Sequence, residues 1–176
     1  MRKFSMFSYA AFLSVTLFFI FSLCLTGLAR DRKPFSQWPA VEKKFYGIKI
    51  IVAETQELAH QGFCNASKEE FQSTVIWFPG INQDTMFVNT NPGFGTVNQN
   101  LQIVFLDSKW LVLDIKTMEK QTGTAIAPEN THSALEGIPE IVKRLGFKKG
   151  KLALFRIEKS GTKYFCVPNN NNGGFR

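Results

Sequence analysis

Histidine is scarce in this sequence, and the glycine-rich loops of nucleotide-binding proteins are absent from it. Both features limit the chemistry that the chain can perform. Only two histidines occur in 176 residues, so there is little material for a catalytic triad or a catalytic zinc site. The sequence contains no glycine-rich phosphate-binding loop and no Gly-x-Ser-x-Gly turn of the kind that carries a nucleophilic serine. We therefore expect no cofactor, and we expect a binding protein rather than an enzyme.

Cysteine is also scarce, and its three positions leave several arrangements open. Cys24 lies in an N-terminal apolar segment, so Cys64 and Cys166 would remain in a mature domain. An even pair in an exported domain predicts a disulfide, which would tie the two ends of the domain together. The alternatives are two free buried thiols, or a zinc site in which His60 and His132 join the two cysteines.

Acidic residues are outnumbered by basic ones, and the formal net charge is +7. The basic residues are not clustered with aromatic side chains that would stack on bases, so we expect no nucleic-acid partner. Lys148, Lys149 and Lys151 lie close together, but they flank Gly150 and predict a turn. The charge is better explained by a soluble basic surface, with weak attraction to anionic lipid as the alternative.

The first 29 residues predict a signal peptide or a membrane anchor. Arg2 and Lys3 precede an apolar run over residues 9–25, and Gly27-Leu28-Ala29 offers the small residues that a signal peptidase accepts. Left uncleaved, a run of about 20 apolar residues is long enough to span a bilayer. We therefore expect a periplasmic or secreted domain, either free or anchored to the inner membrane through residues 9–29. The basic residues at 30–33 argue against export, because positive charge after an apolar span favours the cytoplasmic side.

The clearest structural pattern is a β-hairpin over residues 101–116. Its odd-numbered residues form one apolar face, because successive side chains on a strand point to opposite sides. We expect Ile103, Phe105, Leu111 and Leu113 to be buried on that face. The other face is mixed, and we expect a ligand-binding surface there, built around Gln102, Val104, Trp110 and Val112.

The rest of the chain predicts about eight short strands and two short helices. Residues 30–44 predict a linker or an arm, residues 45–168 a single β-rich domain, and residues 169–176 a disordered tail. The helices are predicted at residues 55–61, between a Thr55 cap and Gly62, and at 138–145. The further strands are predicted at residues 45–53, 74–78, 85–88, 122–127, 151–158 and 162–167. This pattern is typical of a β-sandwich or a partly closed barrel with helical decoration.

Residues 48 to about 157 resemble the domain of unknown function 192 family of small bacterial and archaeal domains, which are often exported or membrane-anchored. The matching pieces, in order, are Ile50-Ile51-Val52-Ala53, Thr55, Gln61-Gly62-Phe63, Met86-Phe87-Val88, Asn98, residues 101–107, Val112, Met118, Ala134-Leu135-Glu136 and residues 145–150. An insertion separates Cys64 from Asp84. The resemblance implies a mainly β, sandwich-like fold and no established enzymatic activity.

The sequence departs from the family pattern before the central strand. The family has Phe-Trp-Met-Lys-Asn-Thr there, whereas only Phe94 and Asn98 are kept in this chain. The family's Pro-Leu-Asp-Ile becomes Asn100-Leu101-Gln102-Ile103, and a glutamine cannot act as a carboxylate base or a hard metal ligand.

Two functions therefore stay open. The first is an exported, non-enzymatic binding domain for a small molecule or an envelope protein, with Asn98, Gln102 and Trp110 as ligand-binding residues. The second is a hydrolase or carbohydrate-active accessory protein that uses Asp107 and Asp114, which otherwise serve as a turn residue and a solvated strand residue. Glu136 precedes the second helix, and we expect it to contribute to that helix's N-terminal region, with a catalytic role as the alternative.

Overall fold

The computed structural model describes residues 30–169, and these form a mainly β domain, as predicted. The predictions for residues 1–29 and for most of the tail lie outside the described residues. Asn169, the first residue of the predicted tail, is buried, and its backbone N–H donates a hydrogen bond to the carbonyl of Leu154. Between residues 30 and 169, no helix has the length and apolar character needed to cross a bilayer.

The described part of the chain contains eleven strands and three α-helices, with one 3-10 turn at Phe35–Gln37. The helices are α1 Gln56–Gln61, α2 Lys68–Ser73 and α3 Pro139–Arg144. The strands are β1 Lys49–Val52, β2 Thr74–Pro79, β3 Met86–Val88, β4 Thr90–Asn91, β5 Gly95–Thr96, β6 Leu101–Leu106, β7 Val112–Met118, β8 Thr124–Ile126, β9 Ser133–Gly137, β10 Phe155–Ser160 and β11 Lys163–Pro168.

A five-stranded mixed sheet forms the centre of the domain, with the strand order β1-β2-β9-β6-β7. The β1 and β2 strands are parallel, and the other neighbours are antiparallel. The remaining strands form three two-stranded ribbons, β10–β11, β3–β8 and β4–β5. The middle strand, β9, is buried along its whole length and was not predicted from the sequence.

Both faces of this sheet are covered. On the face that we call the front, Ile76, Ile103 and Phe105 pack against α1, α2, the β3–β8 ribbon and an N-terminal arm. On the opposite face, called the back, Val104 and Leu135 pack against α3 and the β10–β11 ribbon. The sheet therefore separates two cores, and its inner strands are mainly apolar on both sides.

The central hairpin is confirmed, but its two strands are buried unequally. The β6 strand pairs antiparallel with β7, with a bulge between Phe105 and Leu106, and Ile103 and Phe105 are fully buried. Leu111, just before β7, and Leu113, within it, are only half-buried, contrary to the prediction, because β7 is an edge strand of the sheet.

The mixed face of the hairpin is not an open ligand surface, so that prediction is wrong. Val104 and Val112 are fully buried in the back core. The α3 helix and the β10–β11 ribbon, which follow the hairpin in the chain, fold over this face. Their position depends on tertiary packing, so the alternation of residues within the hairpin did not predict it.

The helices show how local sequence signals set their ends. The Thr55 hydroxyl accepts a hydrogen bond from the Leu58 N–H at 3.3 Å and begins α1, and Gly62 ends α1 at a φ of 47°, as predicted. The α3 helix is also confirmed, with Pro139 in its first turn. The α2 helix was not predicted, although Ser67 and Glu70 form a capping box that marks its start.

Residues 30–44 are not a free linker over their whole length. The Phe35 and Trp38 side chains are buried in the front core, and we call residues 30–38 the N-terminal arm. The Gln61 side chain accepts a hydrogen bond from the Lys33 N–H and donates one to the Lys33 carbonyl, both at 2.8 Å. The arm is therefore part of the folded domain.

The predicted disulfide is wrong, because Cys64 and Cys166 are free thiols on opposite sides of the sheet. Burial raises the pKa of Cys64 to about 11 and that of Cys166 to about 12. Between residues 30 and 169, no three His, Cys, Asp or Glu side chains are grouped to hold a metal ion, and His60 and His132 are both exposed.

We expect Phe105→Ala to destabilise the domain by about 3–5 kcal/mol, because the substitution removes a fully buried ring from the middle of the front core. Urea denaturation of wild type and variant measures the difference. Ile126→Ala is the control, because Ile126 is exposed, and it should cost less than about 1 kcal/mol. Equal midpoints for Phe105→Ala and wild type would contradict the packing described.

Alkylation should show that the two thiols are separate. We expect iodoacetamide to modify both Cys64 and Cys166 in denatured, unreduced protein, and to modify them much more slowly in the native state, where both thiols are protonated, Cys64 is buried and Cys166 is half-buried. Peptide mass spectrometry distinguishes the outcomes. A peptide pair that contains Cys64 and Cys166 joined by a disulfide would contradict the structure.

Candidate functional site

A cleft opens on the front face of the sheet between α1, the segment 62–64 and β3. Its volume is about 230 Å³. An engineered cavity of about 150 Å³ is enough to bind benzene, so this cleft suits a small organic molecule. The side chains that line it are mainly apolar, namely Phe63, Cys64, Phe78, Ile81, Met86, Phe87, Val88 and Val97.

The Glu136 carboxyl lies at the floor of the cleft because of the position of β9. Glu136 pairs with Ile76 of β2 on one side and with Ile103 of β6 on the other, in the middle of the sheet. Ala134, two residues earlier on β9, packs in the front core, so alternation along the strand directs Glu136 to the same face. A charged residue type is thus held at the centre of an otherwise apolar surface.

Glu136 is only 5% exposed. Among residues 30–169, no group donates a hydrogen bond to its carboxyl and no basic side chain forms an ion pair with it. Removal from water raises the pKa of Glu136 to about 8, because the charged form is desolvated. The side chain is therefore mainly protonated at neutral pH, and it is available to a molecule that enters the cleft.

The segment 62–64 closes one side of the cleft directly over this carboxyl. Gly62 has a φ of +47°, which favours glycine, and a Cβ atom there would lie 3.6 Å from Oε2 of Glu136. Cys64 is held by its own N–H, which donates to the Gln61 carbonyl at 2.9 Å. The pKa of the Cys64 thiol is raised mainly by burial and then by the nearby Glu136 charge, so the thiol stays protonated and is a poor nucleophile.

The N-terminal arm and α2 support this segment from behind. The Arg32 Nε donates a hydrogen bond to the Cys64 carbonyl at 3.1 Å, and the Arg32 guanidinium forms a 2.8 Å ion pair with Glu70 of α2. The same guanidinium lies over the Phe35 ring, 4.6 Å from its centroid. These contacts fix the wall of the cleft without placing a positive charge among the side chains that line it.

The β3–β8 ribbon supplies an exposed apolar rim. Met86 is 62% exposed and lies opposite Ile126, which is 50% exposed. Val88, two residues along β3, is also exposed and lines the cleft with Met86. Phe87 between them packs on Phe78 with a ring separation of 5.1 Å, which anchors the ribbon to the core.

The three residues predicted to bind a ligand do not come together. The Asn98 Oδ1 accepts a hydrogen bond from Gln121 Nε2 at 3.2 Å, and the Gln102 amide donates to the Thr117 hydroxyl at 3.5 Å. Trp110 is half-buried against the back core, on the other side of the sheet from Glu136.

The carboxylates near the hairpin have structural partners. The Asp107 Oδ1 accepts hydrogen bonds from the N–H groups of Lys109 and Leu111, both at 2.8 Å, which confirms it as the turn residue. Asp114 pairs with Lys149 at 2.8 Å, and that hydrogen bond lowers the pKa of Asp114 below its ordinary value. Neither carboxylate is among the side chains that line the Glu136 cleft.

The sequence predicted that Glu136 lies just before the second helix and contributes to its N-terminal region. It is instead one residue from the end of a strand whose residues are all buried. A local signal existed, because an acidic residue within the short run Ala134-Leu135-Glu136-Gly137-Ile138 interrupts an apolar stretch. Burial of such a residue without a partner can be recognised only once the fold is known.

The burial of Glu136 predicts how the free energy of unfolding depends on pH. The native pKa of about 8 lies above the ordinary value of 4.5, so the folded state binds the proton more tightly than the unfolded chain. This stabilising contribution is complete below about pH 4.5 and is lost as the pH rises through about 8. We expect the free energy of unfolding to fall over that interval by on the order of a few kcal/mol.

Glu136→Gln should remove most of this fall, because the amide does not titrate, and should leave the variant more stable than wild type at alkaline pH. Chemical denaturation from about pH 5 to about pH 9 measures it. Glu140→Gln, at an exposed position on α3, is the matched control and should keep the wild-type slope. Equal slopes for wild type and Glu136→Gln would show that the carboxyl is not desolvated.

Comparison with known proteins gives structural likeness alone. No family model matches the chain, and no curated protein matches it. A "putative transcription regulator" from Sinorhizobium meliloti 1021 is 19% identical, with a TM-score of 0.47 over 58% of this chain and 78% of that one. A protein of unknown function from Novosphingobium aromaticivorans DSM 12444 is 15% identical, with a TM-score of 0.47 over 69% of this chain and 96% of that one. At these values neither likeness bears on function.

Proposed function

We propose that the protein is an exported, non-enzymatic binding domain whose ligand is a small molecule held in the Glu136 cleft. The observation that carries this proposal is the unpartnered, 5%-exposed Glu136 carboxyl at the floor of a mainly apolar cleft of about 230 Å³. A few polar groups placed within an apolar concavity are the usual composition of a small-molecule site.

The free-energy cost of burying Glu136 supports a functional role for this residue rather than a stabilising one. An unpaired polar group in an apolar environment costs a folded protein free energy, whereas an apolar side chain of similar volume would fill the position without that cost. The partly buried Glu70 differs, because its carboxylate accepts hydrogen bonds from Ser67 and Arg32. Glu136 has no such partner among residues 30–169, and it is the one acidic residue that is both buried there and part of a cavity lining.

Binding is supported over hydrolysis by the composition of the cleft. A hydrolase of the kind considered would need two carboxylates that converge on a substrate. Within residues 30–169, Glu136 is the one carboxylate that lines this cleft, and the neighbouring Cys64 thiol has a raised pKa rather than the lowered one of a nucleophile.

Export and family membership are parts of the same proposal. Export is supported by the basic start and apolar run of the first 29 residues, which fit a signal peptide or an anchor. The resemblance to the domain of unknown function 192 family is supported by the order of its motifs, and residues of two of these motifs, Gln61-Gly62-Phe63 and Ala134-Leu135-Glu136, meet at the cleft, where the first closes one side and Glu136 of the second forms the floor. A shared ligand site would account for both motifs.

Blocking the mouth of the cleft tests the proposal. A fragment screen by ligand-observed NMR on the full-length protein should identify small apolar molecules that bind wild type. Ala59→Trp places a bulky ring at an exposed lining position of α1 and should weaken these fragments at least about tenfold. Gln56→Trp adds the same ring to an exposed position of α1 outside the lining and should leave binding unchanged.

Two results would contradict the proposal. One is a screen in which no fragment binds wild type. The other is a set of fragments that bind Ala59→Trp and Gln56→Trp equally well, because their site would then lie elsewhere on the molecule.

A further inference from the structure

We infer that the cleft selects an organic ammonium ion, with its nitrogen on the Glu136 carboxylate and its apolar body among the side chains of segment 62–64 and β3. This inference rests on the proposed function and adds the chemical class of the ligand. It follows from the charge of the lining, the volume of the cleft and the missing partner of Glu136.

The charge of the lining favours a cation over an anion. No lysine or arginine lines the cleft among residues 30–169, and Glu136 is its acidic group. The other titratable groups nearby are the Cys64 thiol and the exposed His60. Arg32 lies behind Cys64 and is already paired with Glu70. An anionic ligand would lose its hydration and find no positive charge among the lining side chains, whereas a cation would provide the partner that the Glu136 carboxylate lacks.

A metal ion does not fit the same position. Calcium takes six to eight oxygen ligands and magnesium an octahedral set, whereas one carboxylate lines this cleft. Between residues 30 and 169, no three metal-binding side chains form a group. An ammonium group instead needs one carboxylate and a few hydrogen-bond acceptors, and the apolar walls then contact its carbon atoms.

The proton balance allows this binding at neutral pH. When the ammonium binds, the Glu136 carboxyl releases its proton to solvent and the carboxylate accepts a hydrogen bond from the N–H of the ligand. No other bond forms or breaks. With a native pKa of about 8, ionising Glu136 at pH 7 costs about tenfold in affinity, which one charge-assisted hydrogen bond is able to offset.

Three probes of nearly equal size and different charge test the inference, namely benzylamine, benzyl alcohol and benzoate. Each is titrated by NMR or calorimetry into the full-length protein in non-ionic detergent, at about pH 6, 7 and 8, with Glu136→Gln alongside wild type. We expect benzylamine to bind wild type most tightly and benzoate least. The benzylamine affinity should rise about tenfold from pH 6 to pH 7 and about fivefold from pH 7 to pH 8, with release of up to one proton.

The Glu136→Gln variant should lose about 10- to 100-fold of the benzylamine affinity and keep that for benzyl alcohol, because an amide retains the volume but not the charge. Thermal unfolding of the variant checks its fold, and the wild-type pH profile supports or overturns the inference without any variant.

The outcomes separate this inference from the proposed function. If benzyl alcohol binds as tightly as benzylamine, or if benzylamine affinity does not change with pH, ammonium selection is wrong while small-molecule binding stands. If none of the three probes binds wild type, the inference is overturned, and the fragment screen decides separately whether the cleft binds small molecules.

Discussion

The pairing of β9 between β2 and β6 is the interaction on which the rest of the structure depends. It completes the five-stranded sheet and joins the first half of the chain, which supplies β1 and β2, to the central hairpin. It also sets the register that places Glu136 between Ile76 and Ile103. A shift of one residue would turn the carboxyl into the back core and Leu135 towards the cleft, because side chains alternate along a strand.

The two faces of the sheet differ, because the back is a closed core and the front contains the cleft. The back core is closed by α3 and β10–β11 over a cluster of aromatic rings that includes Trp77, Phe155 and Tyr164. The front face is covered by short pieces, and the cleft lies where α1 ends and the chain turns at Gly62. Because the arm and α2 hold that turn through Arg32 and Glu70, the wall of the cleft is positioned by contacts that lie outside it.

Local signals in the sequence were enough for the hairpin and for α1, since alternation around Ile103 and the Thr55 and Gly62 caps act within a few residues. The β9 strand could not be found in this way, because its Ser, Ala, Glu and Gly residues have low strand propensity and become a strand through their neighbours on both sides. The cysteine pairing failed for a related reason. An even number of cysteines predicts a disulfide bond, but Cys64 and Cys166 lie on opposite faces of the sheet. The face that each cysteine occupies is determined by the topology of the fold and not by the local sequence.

Desolvation of the Glu136 carboxyl has two consequences. It costs the folded protein free energy, and it strengthens the interaction of the carboxyl with a bound ligand. Water surrounds a surface carboxylate and screens it, so that such a group distinguishes weakly between charged and neutral ligands. In the cleft the apolar walls exclude the water that would screen the carboxyl. This removal of water raises the pKa of Glu136, and it also strengthens the interaction of the carboxyl with a charge placed next to it. A neutral or anionic ligand gains at most one hydrogen bond from the protonated acid, and the anion is desolvated without a positive charge beside it. A cation gains both a charge interaction and a hydrogen bond once the carboxyl is ionised. The arrangement therefore discriminates by charge first and by shape second, which is the order expected of one buried ionisable group within a small apolar cleft.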